Sequence, residues 1–224
     1  MSELIVEAVL PAVRKRSAFL AFNMRLIREK PLGAVGGVVF LLFMVCGIFA
    51  DFLAPFEMNH TDLTQRLQAP SLAFPFGTDH LGRDVLSRVL IGAQISMIVS
   101  FLAAGIATVI SIVVGVISGY FGGKPDMVIQ RGVDAWMTFP DLVLLIVIVS
   151  IVGPGIPQIV VVLGLLYGIA GSRIVRGAVV SVKENMYTHA SLSIGAPTFH
   201  VMRKHILPNI MPVVIVLFTT RIGA

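Results

Sequence analysis

The chain is 224 residues long, 56% hydrophobic and only 13% charged, with a net charge of +5 and a mean hydropathy of +0.93. A soluble domain is nearer a quarter charged, so this composition leaves too little polar surface to cover a water-soluble globule. The basic excess forms no aromatic-interleaved face, which excludes a nucleic-acid partner, and the single cysteine, Cys46, excludes an internal disulfide framework or a CxxC metal site.

Residues 1–30 carry Arg14, Lys15, Arg16, Arg25, Arg28 and Lys30 and read as a tail, with an amphipathic helix expected on the membrane surface at about 17–29. The following apolar run is too late and too long for a signal peptide. Residues 32–53 are the first expected span, apolar until Asp51 and close to the roughly 20 residues a bilayer requires. Residues 54–90 form a polar loop with Pro55, Pro70 and Pro75. Its run F-G-T-D-H-L-G-R-D-V-L-S-R, residues 76–88, has Gly77 and Gly82 for turns and Asp79, Arg83, Asp84 and Arg88 for local pairing, with Asp84 and Arg88 at helical spacing. The second span is 96–120, where Gly115-x-x-x-Gly119 and several alanines and serines suit close helix approach.

Residues 121–134 read as a short turn. The third span, 135–152, contains Pro140, which is expected to kink it, followed by Asp141 near an interface. A glycine- and proline-rich turn at 153–157 leads to the fourth span, about 158–178. A fifth, partial span occupies 208–224, and a sixth is expected beyond the chain end. The fold class is therefore all-α: a tail over 1–30 and a polytopic membrane helical bundle over 31–224.

Basic residues orient the bundle. Segments 1–30, 121–134 and 173–209 hold six, two and five Lys and Arg, against three in 54–90. Cytoplasmic loops are the Lys/Arg-rich ones, so the N-terminus and the 173–209 loop are expected inside, and 54–90 outside. That inner loop is a long stretch that is not uniformly apolar. A helix-like piece over 184–194 ends at Gly195, Pro197 follows, and a second piece runs to a proline stop at Leu207-Pro208-Asn209.

The spacing within this loop resembles the EAA loop of binding-protein-dependent ABC importer permeases. The family pattern is Glu-Ala-Ala, three residues, a glycine, then ten residues before Ile-Leu-Pro-Asn. Here His189-Ala190-Ser191, Gly195 and Ile206-Leu207-Pro208-Asn209 keep that spacing, with His189 in place of the glutamate and Ser191 in place of an alanine. Further matches single out the dipeptide/oligopeptide/nickel permeases, and among them the second of the two permease subunits. These are the 76–88 run with Gly77, Asp79, Gly82, Arg83, Asp84, Ser87 and Arg88; Gly119, Tyr120, Gly122, Gly123 and Asp126; Arg131, Asp134 and Pro140; a loose turn at 153–156; and Arg173, Arg176 and Gly177. Where the family usually has an arginine before the second span, this chain has Gln94.

The resemblance implies a membrane subunit of the type I ABC importer kind, set in a bacterial or archaeal cytoplasmic membrane. It implies a homologous second permease, two cytoplasmic ATPases carrying ATP and Mg, and an extracytoplasmic binding protein delivering peptides, nickel chelates or glutathione-like solutes. The cytoplasmic coupling loop is placed at 179–207, with His189, Ala190, Ser191, Gly195, Ile206, Leu207 and Pro208 as its contact residues; Ala190 and Ser191 are small enough to enter a narrow groove. No G-x-x-x-x-G-K-[ST] loop is present, so no cofactor is expected in this chain and it is not expected to be an enzyme. Two other classes are a secondary transporter or channel with Asp141 as its deep ion site, and a membrane metalloenzyme built on His189, His200 and His205.

Overall fold

Apolar stretches interrupted by Gly and Pro fold into helices throughout. The computed structural model describes residues 24–25 and 27–223, and every regular element among them is helical. Most of the expected surface helix at 17–29, and the rest of the tail before it, lie outside the described residues. Two compact units divide the chain at Ala93/Gln94.

In the first unit, α1 (Pro31–Ile48) and the short α2 (Ala50–Leu53) form the first apolar segment. Pro31 sits in the first turn of α1, where its missing N–H costs nothing. The loop that follows holds a single 3₁₀ turn, Leu63–Gln65, and is knotted together by side chains. Phe56 stacks on His60 and Phe74, with ring centroids 5.8 and 5.5 Å apart.

Helix α3 (Val85–Phe121) starts eleven residues before the expected span and takes over the end of the expected loop. The reason is local. The Asp84 carboxylate accepts hydrogen bonds from the Ser87 N–H (2.8 Å) and hydroxyl (2.6 Å), capping the helix. The expected Asp84–Arg88 pair is not formed: Arg88 turns to Asp79 (3.9 Å), while one Asp84 oxygen makes the cap and the other is buried without a hydrogen-bond partner.

In the second unit the expected turn at 121–134 is a helix, α4 (Gly123–Met137). The actual turn is Gly122 and Gly123, at φ +62° and +57°. The expected third span is two helices: α4 and α5 (Asp141–Val152) meet at 85°. Pro140 causes the break. It has no N–H to continue α4, and its extended backbone (ψ 130°) starts α5 in a new direction. Asp141 lies in the first turn of α5, where a carboxylate complements the helix dipole.

Helix α6 (Ile156–Lys183) follows a left-handed turn at Gly153, φ +98°. It packs along α3 through glycines. Gly164 faces Ile106, Gly168 faces Ile110 and Ala107, Gly115 faces Ser172 and Val175, and Gly119 faces Val179. Residue numbers rise together along both helices, so α3 and α6 run parallel. The chain between them must therefore cross back, which makes the bent α4–α5 pair one broken span. Among the described residues, four long apolar helices and this pair give up to five span candidates.

Beyond α6 come α7 (Met186–Ser193), α8 (Thr198–Val201), one π turn (Met202–Ile206) and α9 (Leu207–Ile222). The last three form one continuous helical path. A buried cluster of Val116, Tyr120, Val175, Val179, Val201, Ile206, Ile210 and Val214 joins α3, α6 and α9 directly beneath the α7 loop.

Candidate functional site

The loop after α6 is a helix–glycine–helix turn set on a packed base. At the end of α7 the Gly195 N–H donates to the Leu192 carbonyl (3.0 Å) and the Ala196 N–H to the Ser191 carbonyl (3.2 Å). Gly195 takes φ +80°, the left-handed conformation such a helix end requires. Pro197 is extended and opens α8.

Pro208 does not stop the second piece, contrary to the expectation from sequence. It lies in the first turn of α9, and the wider π turn before it absorbs the missing N–H. Ile206 is fully buried in the cluster below, and Leu207 packs against it. Their place is the base of the loop, not its outer surface.

Within α7 the expected contact residues divide by face. Ser191 is only 8% exposed and Thr188 is fully buried, with its hydroxyl donating to the Val182 carbonyl (3.1 Å). Ser191 therefore cannot lead an entry into a groove, as its size suggested. His189 and Ala190 face outward. Beside them stand Met186 (87% exposed), Ile194 (85%) and Phe199 (73%), which the motif did not include. Their signal in the sequence is that of large apolar side chains in a charged interhelical loop.

The His189 Nε2 lies 3.8 Å from the Glu184 carboxylate, an ion pair only when the imidazole is protonated. His200 and His205 face one another at 6.2 Å, and Tyr187 approaches His205 at 6.0 Å. No group of three or more metal-binding side chains occurs among the described residues. Pro208, with Pro197, Phe199, His200, Arg203 and Lys204, lines a cavity of about 450 Å³.

Three basic residues on one face of α6 fix the base. Arg176 donates to both carboxylate oxygens of Asp126 (2.6 and 2.5 Å). Asp126 also accepts from the Ser118 hydroxyl, which accepts in turn from Gln130 (2.9 Å). Arg173 pairs with Asp134. The Lys183 ammonium donates to the Tyr120 carbonyl (2.8 Å) and lies 5.6 Å from the centre of its ring. These contacts clamp α3, α4 and α6 together under the loop. The motif residues Asp126, Asp134, Arg173 and Arg176 had each been noticed in the sequence, but not as partners.

The other motif stretch, 76–88, forms a separate knot in the first unit. Gly77 and Gly82 adopt φ +72° and +74°, and a Cβ on Gly82 would fall 2.6 Å from the Asp62 carbonyl carbon. The Ser87 hydroxyl accepts from the Phe56 N–H (3.0 Å), and Arg88 donates to the Met58 carbonyl (3.3 Å). Asp79 accepts from the Leu81 N–H (2.8 Å), the Arg83 N–H (3.0 Å) and the Arg83 guanidinium (2.7 Å).

Partial burial acts to raise the Asp79 pKa, but the Arg83 and Leu81 N–H groups and the Arg83 guanidinium outweigh it. They hold the carboxyl at about 2, below its ordinary 3.8. A depressed pKa in the folded state means that this contribution is full above pH 3.8 and fades as pH falls towards about 2. Hydrogen-exchange protection at Leu81 and Arg83 is expected to follow that window. In Asp79→Asn the acid-dependent loss should vanish; a wild-type profile flat down to pH 2 would count against this knot.

Two family matches overlie these elements. Residues 111–224 match the binding-protein-dependent transport system inner membrane component family, and residues 23–70 match the N-terminal transmembrane domain of oligopeptide transport permease C. The chain belongs to the first of these families. Its matched part takes in the Gly115 and Gly119 contacts with α6, the Asp126–Arg176 clamp and the whole α7 loop.

Among similar proteins are a dipeptide transport system permease protein of Bacillus subtilis and a glutathione transport system permease protein of Shigella dysenteriae. Each is 36% identical over 200 residues, or 89% of this chain. A probable D,D-dipeptide transport system permease protein of Escherichia coli is 34% identical over 199 residues, again 89% of this chain. The chain spans 62%, 66% and 67% of these three relatives.

Proposed function

We propose that this chain is one of two homologous membrane-spanning subunits of an ATP-driven importer for peptides or related small solutes. It would form half of the translocation path, with ATP and Mg bound and hydrolysed on two cytoplasmic partner subunits and solute delivered by an extracytoplasmic binding protein. In this reading the N-terminus and the α7 loop lie on the cytoplasmic side of the inner membrane, as the Lys/Arg distribution favours. Peptide-type solutes follow from the names of the relatives, which specify dipeptides, glutathione and D,D-dipeptides. Nickel chelates remain a narrower member of the same proposal.

The observation that carries the coupling role is the exposed cap of α7. Met186, His189, Ala190, Ile194 and Phe199 leave apolar and small side chains in water, on a loop whose base is locked into the bundle. An exposed apolar cap on a rigid base fits docking to a soluble subunit and transmission of its movement. The glutamate of the family motif is absent, so His189 and Glu184 take over the polar edge of the cap.

The test is a cysteine pair between Ala190→Cys and the facing groove of the ATPase subunit. Cross-linking that varies with nucleotide state is expected. No cross-link in any nucleotide state, in a complex that still co-purifies, would remove the coupling role from this loop. If no ATPase subunit co-purifies at all, the secondary-transporter reading gains.

A further inference from the structure

One cation in the apolar part of the bundle stands apart from the ion pairs described above. Arg221 is the sole charged residue of α9. One guanidinium nitrogen donates to the Tyr167 carbonyl (2.6 Å) and to the Ser111 hydroxyl (3.0 Å). That hydroxyl in turn donates to the Gly168 carbonyl (2.8 Å). Gly171 leaves the space: a Cβ there would fall 2.9 Å from the Arg221 Cζ. The slot is thus formed by α3, α6 and α9 together, and its acceptors are all neutral. The other terminal nitrogen of Arg221 is buried without a hydrogen-bond partner. No carboxylate pairs with Arg221 among the described residues.

Its depth makes this arrangement informative. Ser111 is ten residues before the end of α3, and Tyr167 is eleven residues after the start of α6. At about 1.5 Å per residue these are roughly 15 and 16 Å, half the thickness of a hydrocarbon core on either side. A guanidinium at that depth does not face lipid; it faces a water-filled path or an anion. Arg221 is partly exposed, and beside it Tyr167 is 40% exposed. The face carrying both is therefore the one turned away from lipid.

We propose that Arg221, held by Ser111, Tyr167 and Gly171, is a carboxylate-recognition residue at the midplane of the translocation path, taking the carboxylate of the transported solute. This rests on the peptide-importer reading, since every peptide with a free C-terminus brings such a group. The neutral slot supports it. Its acceptors fix one arm of the guanidinium without cancelling its charge, which leaves the unpaired second arm and the net positive charge for a carboxylate.

The experiment uses the assembled importer with Cys46→Ala and Tyr167→Cys. The latter substitution keeps the backbone carbonyl that Arg221 needs. The probes are two membrane-impermeant thiosulfonates, one with a sulfonate and one with a trimethylammonium group. The introduced thiol is expected to react with both, favouring the sulfonate by about tenfold after correction for intrinsic reactivity. Adding Arg221→Gln should abolish the preference and Arg221→Lys should retain it. Arg221→Gln alone should lower peptide uptake by about tenfold while the partner subunits still co-purify.

No labelling, or a preference unaffected by Arg221→Gln, would overturn the proposal. So would loss of co-purification in Arg221→Gln, which would make Arg221 a structural support of the bundle and not a ligand-binding residue. Anion preference in an importer that transports no peptide would support the site and sink the peptide reading alone.

Discussion

Gly115→Leu is expected to cost more than about 3 kcal/mol, the upper end of overpacking penalties, and to leave little folded protein. A Cβ at Gly115 would lie 2.7 Å from the Ser172 carbonyl oxygen, 2.7 Å from the Val175 Cβ and 2.9 Å from the Arg176 backbone nitrogen. Two of these neighbours are backbone atoms of α6, so no rotamer change makes room; the helices must separate. Separation would also loosen Gly119 against Val179, Gly164 against Ile106 and Gly168 against Ile110. In a bilayer such contact is a main source of helix association, because lipid offers the same apolar surroundings as a partner helix. Gly105 provides the control. It lies on the same helix with nothing within 4 Å of an added Cβ, and Gly105→Leu should be neutral or slightly stabilising. The measurement is the thermal midpoint of the detergent-solubilised chain. Equal behaviour of the two variants would mean that the glycine contact does not hold the bundle.

That contact shows where the sequence was readable and where it stopped. The Gly115-x-x-x-Gly119 spacing identified a surface fit for close approach. The partner surface, from Gly164 to Val179, was not identified, because periodicity describes one helix and never names its neighbour. The same limit hid the Asp126–Arg176 pair, whose members are 50 residues apart in the chain.

Pro140 was readable as a break. Its full effect, an 85° bend, depends on α4 existing. Helix α4 was missed because Gly122 and Gly123 look like a turn, and they are one; the helix starts within them. Pro208 misled in the opposite way, since a proline after a loop reads as a stop, whereas here it opens α9. In α7 the burial of Thr188 and Ser191 was invisible to hydropathy, because small hydroxyl residues fit a packed face or water equally well. The long apolar helices α1, α3 and α6 were legible as span candidates because length and apolarity alone mark them.

Breaking the clamp under the loop is expected to be the second large effect. Asp126→Ala should cost roughly 2–3 kcal/mol, the range for hydrogen bonds to charged groups and short of a fully buried ion pair, because Arg176 retains partial exposure. The loss exceeds that of a surface pair for two reasons. Asp126 accepts from Ser118 as well as from both arms of Arg176, so one carboxylate joins α3, α4 and α6. Removing it also leaves the guanidinium half-buried without an acceptor. Arg176→Met, which retains the apolar stem, should cost less than Asp126→Ala, since the Ser118 hydroxyl, itself held by Gln130, still serves the carboxylate. The double variant should then be less damaged than the sum of the single ones, by about 1.5 kcal/mol or more, as expected for groups in direct contact. Thermal midpoints of the four proteins give the cycle. Strict additivity would show that the two residues act separately, and that the loop is held instead by Lys183 on Tyr120 and by the apolar cluster around Ile206.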